Sequence, residues 1–484
     1  MKQSENNLKA AAGRRSFIRN SALAATGFMI VPRHVLGRGF TAPSDKLNIA
    51  AIGVGGKGRV NITNSFNKGA ENIVALCDVD DRQAEWARKT FPKAPYYADF
   101  RKMYEQESRN FDAVIISTPD HMHAVQALPA MKMNKHIYLE KPLTHDIGEA
   151  RLLTEAARKY KVVTQMGNQG SSGNGTRMVE SWINNGLIGE VNRVHVWTNR
   201  PTWPQGIASP EGKFDIPKGV HWDLWLGTAP SRPYHPIFIP ANWRGWTDYG
   251  TGSLGDMGCH FLDVPYRALK LGYPDSVECS VGSVYTGFFQ ELVNPESYPP
   301  SSKIHLQFPA RNNLPPVEVI WYDGGIQPKR PAELLPDEQM GEYDGGMIFE
   351  GSKGKLMAGL FGQNPTLLPT RNMKEVRLPE PQRPLVKGAE EGHQTQWVEA
   401  CKKGPGAYTS SPFEDAGPLT ETVLMGNLAI RSYFIKESGK QGLSQYGGRK
   451  LLLWDGKNMR ITNYEPANQF VQRTYRGNWD TALS

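Results

Sequence analysis

The sequence predicts an α/β protein whose first large domain is a doubly wound parallel sheet. Short apolar runs recur from residue 46 to residue 166, about 20–40 residues apart, with helix-compatible stretches between them. Each run ends on glycine or on polar residues suited to holding a ligand beyond the carboxyl end of a strand. At 484 residues, with 39% hydrophobic and 21% charged, the chain is long enough for two domains with substantial cores.

Residues 1–45 precede the alternation. Arg14-Arg15-Ser16-Phe17-Ile18 leads into an apolar run from Ala22 to Val31 that is short for a bilayer span, a pattern that fits a twin-arginine export signal followed by a linker. No small-x-small site marks its end, which leaves a cleaved leader and an uncleaved membrane tether both open. Residues 1–37 hold six Lys/Arg and one acid, so +5 of the chain's net +8 belongs to this segment. The remainder is too nearly balanced for a nucleic-acid footprint, and the expected location is the periplasm or beyond.

The first strand, Leu47 to Ile52, enters Gly53-Val54-Gly55-Gly56-Lys57-Gly58 and then a helix-compatible stretch. Gly53, Gly55 and Gly58 fill a G-x-G-x-x-G pattern, which gives a tight turn, close backbone approach to a pyrophosphate and helix packing on the strand. A second apolar run, Ile73 to Cys77, ends on Asp78, twenty residues past Gly58. An acid there accepts hydrogen bonds from an adenine ribose and repels a 2′-phosphate, so NAD is the expected cofactor. Arg82 close behind keeps NADP open.

Phe111 to Ile116 reads as the next buried strand, ending in Ser117-Thr118-Pro119-Asp120-His121-Met122-His123. Residues 124–134 suit a helix. His136-Ile137-Tyr138-Leu139 is another strand, and it stops on Glu140-Lys141-Pro142. A helix (Asp146 to Tyr160) and a strand (Val162 to Met166) complete the run, which puts Lys141 at the mouth of the nucleotide crevice.

With the glycine turn, S-T-P-x-x-x-H and E-K-P in place, residues 46–440 resemble the Gfo/Idh/MocA oxidoreductases, relatives of glucose-fructose oxidoreductase and inositol dehydrogenase. The resemblance implies an N-terminal Rossmann domain over 46–166 and a C-terminal α+β domain over 167–440 with a large, mostly antiparallel sheet, leaving 441–484 as an extension. It implies that Glu140 and Pro142 shape a turn from which Lys141 reaches the nicotinamide and the substrate hydroxyl. Val54, Thr118, Pro119, His123 and Asn168 would join Gly53, Gly55, Gly58, Asp78 and Glu140 around the cofactor. Asp120 stands where relatives commonly carry Asn. Relatives also pair their large sheets between subunits, so a homodimer or larger even assembly is expected.

In the second domain, residues 250–263 read GTGSLGDMGCHFLD, a glycine-rich turn leading to a helix over Phe261 to Leu271. Asp256 and His260, four apart, share one face if the segment is helical there, and they match the family's D-x-x-x-H. Histidine suits proton uptake and release near neutral pH. Trp197, Trp203, Trp222, Trp225, Trp243 and Trp246 crowd residues 194–250, and aromatic faces pack on the C–H faces of sugars. Trp203 and Arg244 are the expected substrate contacts, together with Asp256 and His260.

Later segments carry less. Val317 to Trp321 and Met347 to Glu350 read as strands and 394–402 and 416–436 as helices, while the tail after 440 has no usable motif. Cys77, Cys259, Cys279 and Cys401 lie far apart without C-x-x-C spacing, and there is no H-E-x-x-H, so neither a disulfide framework nor a metal is expected.

The expected activity is hydride transfer between a sugar, glycoside or polyol carbon and nicotinamide, with a 3-keto sugar as a favoured product and Lys141, Asp256 and His260 as catalytic residues. Export implies a tightly bound cofactor carried out with the folded protein. An NAD-dependent glycosidase acting by transient oxidation and elimination is the first alternative. The resemblance implies that such relatives replace the lysine of E-K-P, which Lys141 opposes. A non-catalytic, cofactor-stabilised sugar-binding protein is the second.

Overall fold

The computed structural model describes residues 45–374, 376–438 and 444–482, and the signal and linker expected over residues 1–45 lie outside them except for Asp45. The first sheet holds six parallel strands: β1 (Asn48–Ile52), β2 (Asn72–Cys77), β3 (Tyr96–Tyr97), β4 (Ala113–Ile116), β5 (His136–Leu139) and β6 (Thr164–Met166), in the order β3-β2-β1-β4-β5-β6. Helices on both faces explain why β4 is buried at every position and reads as an unbroken apolar run. The chain winds outward from β1 to β3 and then returns beside β1 as β4. The crevice at this reversal lies beyond Ile52, Cys77 and Ile116, where Gly53, Asp78 and Ser117 follow.

The connecting helices are α1 (Gly56–Phe66), α2 (Asp81–Thr90), α3 (Phe100–Glu107), α4 (His123–Lys132) and α5 (Ile147–Tyr160). Asp146 caps α5 through the Glu149 backbone N–H while the Glu149 side chain accepts from the Asp146 N–H, two otherwise unpaired donors met at once. The helix His393–Lys403, which sequence reading put in the second domain, packs instead on the first sheet. There Trp397, Val398 and Cys401 share a core with Ile49, Ile62 and Tyr138. The 21-residue helix Phe413–Tyr433 lies along α5, and Gly417 lets it approach: a Cβ there would come within 1.7 Å of Thr154 Oγ1. Arg151 and Glu421 make a two-pronged ion pair across the same contact, at 2.8 and 2.7 Å.

The second sheet has nine strands, in the order Thr366–Leu368, Gly354–Ala358, Gly345–Gly351, Val191–Thr198, Val317–Tyr322, Ser302–Phe308, Ser276–Val281, Leu452–Asp455 and Arg460–Ile461. Only the Val191–Thr198 and Val317–Tyr322 pair is parallel among these neighbours. Along Ser302–Phe308 burial alternates, with Ile304, Leu306 and Phe308 turned to the helix-covered face and Lys303, His305 and Gln307 to the other. That other face carries Arg193, Glu318 and His305, joined at 2.8 Å, beside an apolar cluster of Trp197, Ile320, Tyr322 and Ile348.

Residues 199–250 form an insertion with its own aromatic core. Trp222 and Trp225 stack at 4.7 Å, and Phe238, Trp246 and Tyr249 close around them. Most of the tryptophans that sequence reading linked to substrate are packing groups here. The segment 250–263 also differs from its expected turn, since it is helical from Gly252 to Phe261. Its glycines serve close packing: a Cβ on Gly258 would touch Val423 of the long helix at 3.1 Å.

Candidate active site

A cleft of about 580 Å³ runs along the carboxyl ends of β1, β2, β4 and β5 and is roofed by the insertion. At one end lies the glycine turn. Gly53 has φ +74°, and a Cβ on Gly58 would sit 1.9 Å from the Gly53 carbonyl oxygen, so the strand-to-helix turn tolerates no side chain at either position. Asp78 Oδ2 accepts from Val54 N–H at 2.8 Å and Gly55 N–H at 3.3 Å, and its Oδ1 accepts from Asp80 N–H at 3.0 Å. Burial nevertheless pushes the Asp78 carboxyl up to about 6.

This donor set fits a dinucleotide. Helix α1 has no side-chain cap and no acid in its first turn, so its N-terminal N–H groups and dipole favour an anion, and the Lys57 ammonium adds a charge to the same wall. Beside the turn, Asn61 Nδ2 donates to Glu140 Oε1 at 2.8 Å and Ser117 Oγ at 3.0 Å, and Gln394 Nε2 donates to Asn61 Oδ1 at 2.9 Å. Glu140 is thereby fixed by a helix from 250 residues down the chain.

At the other end β5 delivers Lys141. Its Nζ donates to Asp256 Oδ1 at 2.7 Å and to the Asp256 backbone oxygen at 2.6 Å, and Arg244 Nε reaches the same Oδ1 at 3.2 Å. Burial alone would raise the Asp256 carboxyl, but the Lys141 and Arg244 cations override it and hold the group well below the ordinary carboxylate range. One helical turn on, His260 lies edge-on to Phe361, with ring centroids 5.1 Å apart, and its buried Nδ1 has no hydrogen-bond partner among the described residues. Burial, reinforced by the Lys141 ammonium, drives its pKa well below 6.5, so the ring is neutral at neutral pH. Asp120 accepts from Thr251 Oγ1 at 2.6 Å, and burial pushes its carboxyl upward against the cations of Arg244 and Lys141.

Gly53, Gly55, Asp78, Thr118, Pro119, Glu140, Lys141, Arg244 and His260 line this cleft. The other sequence-derived candidates stand behind or away from it. Val54 and Gly58 build the turn from inside. His123 is buried between two carbonyl oxygens, Thr118 O and Pro142 O, each 2.9 Å from a ring nitrogen, so it clamps the two loops and does not face a ligand. Asn168 is buried, donating to Ser171 Oγ at 3.0 Å and Cys259 O at 3.5 Å. Trp203 donates to Gln205 Oε1 and lies over Gly245, while Trp225 and Trp243 supply the wall expected of it. Asp256 sits behind Lys141 and Arg244, its carboxylate engaged by both, and is not among the residues that line the cleft.

Several cleft residues escaped sequence reading. Lys57 lies inside the quoted glycine turn and was readable there as a phosphate cation. Gln126, which accepts from Thr118 Oγ1 at 2.7 Å, and Trp479, from the last residues of the chain, carried no signal.

Residues 47–168 match the family model described as oxidoreductase family, NAD-binding Rossmann fold, and residues 177–281 match its C-terminal alpha/beta domain. A glycosyl hydrolase family 109 protein of Shewanella pealeana is 26% identical over 200 residues, 37% of this chain and 44% of that protein. Glucose-6-phosphate 3-dehydrogenase of Bacillus subtilis is 26% identical over 220 residues, 45% of this chain and 52% of that enzyme. The chain thus spans about half the length of these curated relatives, or less. The WlbA dehydrogenase of Bordetella pertussis, solved with NADH and UDP-GlcNAcA, shares the fold at a TM-score of 0.53 and 14% identity, covering 79% of this chain and 95% of that one. Residues 47–168 and 177–281 thus match, in sequence, the two domain models of the Gfo/Idh/MocA oxidoreductase family.

Proposed function

We propose that this protein oxidises or reduces a sugar, glycoside or polyol at a hydroxyl-bearing carbon, with NAD as redox partner and NADP as a secondary coenzyme. The observation that carries the reading is the meeting of Lys141 and His260 at one end of a cleft whose other end holds the glycine turn and Asp78. Bound NAD supplies the hydride acceptor, or the donor in the reverse direction. In the oxidising direction neutral His260 takes the hydroxyl proton of the substrate. Lys141 donates a hydrogen bond to the same oxygen and stabilises the negative charge that develops there. Asp256 holds the ammonium and the Arg244 guanidinium in place. Trp225 and Trp243 offer apolar faces to the sugar ring, and Arg244, 4.4 Å from the Trp243 ring, reaches its hydroxyls.

The glucose-6-phosphate 3-dehydrogenase relative supports oxidation at carbon 3 and hence a 3-keto product. The paired arginines of the leader support twin-arginine export to the periplasm, with the cofactor carried out bound and regenerated by a second substrate. The half-apolar second face of the large sheet supports pairing of two subunits.

A second reading, an NAD-dependent glycosidase, draws on the glycosyl hydrolase family 109 relative. It uses the same initial oxidation and then expels the glycosidic oxygen, and the intact Lys141 stands against it. Incubation of the NAD-loaded protein with a panel of sugars and glycosides, followed by mass spectrometry, separates the readings. Keto products with the glycosidic bond intact support the oxidoreductase, cleaved glycosides the second reading, and retention of every ligand unchanged a binding protein.

A further inference from the structure

The C-terminal tail, featureless as sequence, reaches the nucleotide end of the cleft. After adding Leu452–Asp455 to the second sheet, the chain crosses to the first domain. Arg473 is inserted between them: its Nη2 donates to Glu149 Oε1 at 2.7 Å and to His121 O at 2.6 Å, and its Nη1 to Thr228 Oγ1 at 2.9 Å. Arg476 then grips the short helix Trp222–Leu226, with Nη1 2.5 Å from Asp223 Oδ1, Nη2 2.8 Å from Asp223 O and Nε 3.1 Å from Gly227 O.

These two arginines fix the position of Trp479. The residue is 8% exposed, its indole tilted against Phe100 with ring centroids 6.2 Å apart, and the Arg101 guanidinium lies 4.3 Å from its ring. It lines the cleft on the side of Cys77, Asp78, Ala98, Asp99 and Phe100, beyond the carboxyl end of β2. The insertion closes the same end with Val220 and Leu224. It is pinned there by His221 N–H to Val79 O and Asp81 N–H to Gly219 O, both 2.8 Å.

Where Asp78 receives the ribose, the base of an adenine dinucleotide must lie further from the glycine turn, toward Phe100 and Trp479. A purine presents a flat apolar face, and aromatic side chains are its usual platform. We infer that Trp479 is an adenine-binding residue, and that the tail from Arg473 to Trp479 is a strap that retains the dinucleotide in the cleft. The inference rests on reading the cleft as an NAD site. It supplies a physical route to a cofactor that stays with the folded chain: the base cannot leave without displacing an indole tied to both domains through Arg473 and Arg476.

The test uses the full-length protein loaded with NADH. Dissociation is followed by fluorescence after mixing with excess NAD, and AMP affinity is measured by titration. Trp479→Ala should raise the NADH off-rate and weaken AMP binding, each by about tenfold or more, the scale of one base–aromatic contact. Trp479→Phe should restore most of both. Arg476→Ala, which cuts a tie to the exposed Asp223 on the surface, should raise the off-rate in a protein that folds normally. An off-rate and an AMP affinity within twofold of the parent protein in both the Trp479→Ala and Arg476→Ala variants overturn the inference. Should Trp479→Ala not fold, an unchanged off-rate in Arg476→Ala alone overturns the strap. Absence of NADH binding by the parent protein overturns the NAD reading itself.

Discussion

Lys141 Nζ and Asp256 Oδ1 lie 2.7 Å apart, joining the loop after β5 of the first sheet to the helix Gly252–Phe261 of the second domain. Both side chains are largely buried, and the pair sits where the two domains enclose the cleft. An ammonium that only decorated the surface would have little reason to be there. This one is aimed by a carboxylate whose other partner is the cleft-lining Arg244.

Replacing Lys141 by Met keeps the apolar stem and removes the donor. Fold and NAD affinity should persist while turnover drops by about a hundred- to a thousandfold, the usual cost of one transition-state donor. Circular dichroism and NADH titration check the first part, and steady-state kinetics on the substrate found by mass spectrometry check the second. Turnover within threefold of the parent protein would remove Lys141 from the chemistry.

Asp256→Asn should lower turnover less than Lys141→Met does, because the ammonium remains, still bonded to the backbone oxygen of residue 256, but loses the carboxylate charge that aims it. In the double variant the losses should be clearly less than additive, since both substitutions act on one interaction. Independent, multiplying losses would separate the two roles.

The pH dependence should divide between binding and chemistry. Burial pushes the Asp78 carboxyl up to about 6, and its ionised form accepts from the ribose hydroxyls more strongly than the protonated one, so NAD affinity should hold above pH 6 and fall below it. His260, pushed below its ordinary 6.5, stays an acceptor through that range, so turnover at saturating NAD should not decline as pH falls from 8 to 6.5. Asp78→Asn should abolish the acid limb in affinity and reduce the preference for NAD over NADP. A turnover limb centred at 6.5 would show His260 to be less buried than it is here.

Stability offers an independent check on packing. Gly417→Leu forces a side chain into the contact where a Cβ alone meets Thr154 Oγ1, and overpacking of this kind costs about 1–3 kcal/mol. Urea unfolding measures it, and a change under about 0.5 kcal/mol would mean that the helices part freely.

What the sequence disclosed follows from how local each signal is. The strand, glycine turn, helix and acid from Leu47 to Asp78 are consecutive, and so are the strand and E-K-P, so their placement needs only the doubly wound rule. Asp256 and His260 were visible as a pair, but the helix carrying them was read as a turn because Gly252, Gly255 and Gly258 look like loop residues. In the fold Gly258 lets the helix press on Val423 of Phe413–Tyr433, a partner more than 150 residues away, while Gly252 packs on Tyr298 and Gly255 on Thr251. The pairing of Lys141 with Asp256 spans 115 residues, and no pattern along the chain announces it. Trp203, Trp225 and Trp243 look alike as sequence, and only the insertion's core decides which ring faces the cleft. Trp479 was the least legible, being placed by two arginine contacts to distant loops.

Deuterium transfer tests the central claim most directly. A sugar shown to be turned over is supplied with deuterium on the oxidised carbon, and the nicotinamide of the enzyme's NAD is analysed after a single turnover. The account predicts one deuterium carried from sugar carbon to nicotinamide by the parent protein and almost none by Lys141→Met. Deuterium found only in water, with the nicotinamide unlabelled and the protein fully NAD-bound, would contradict it.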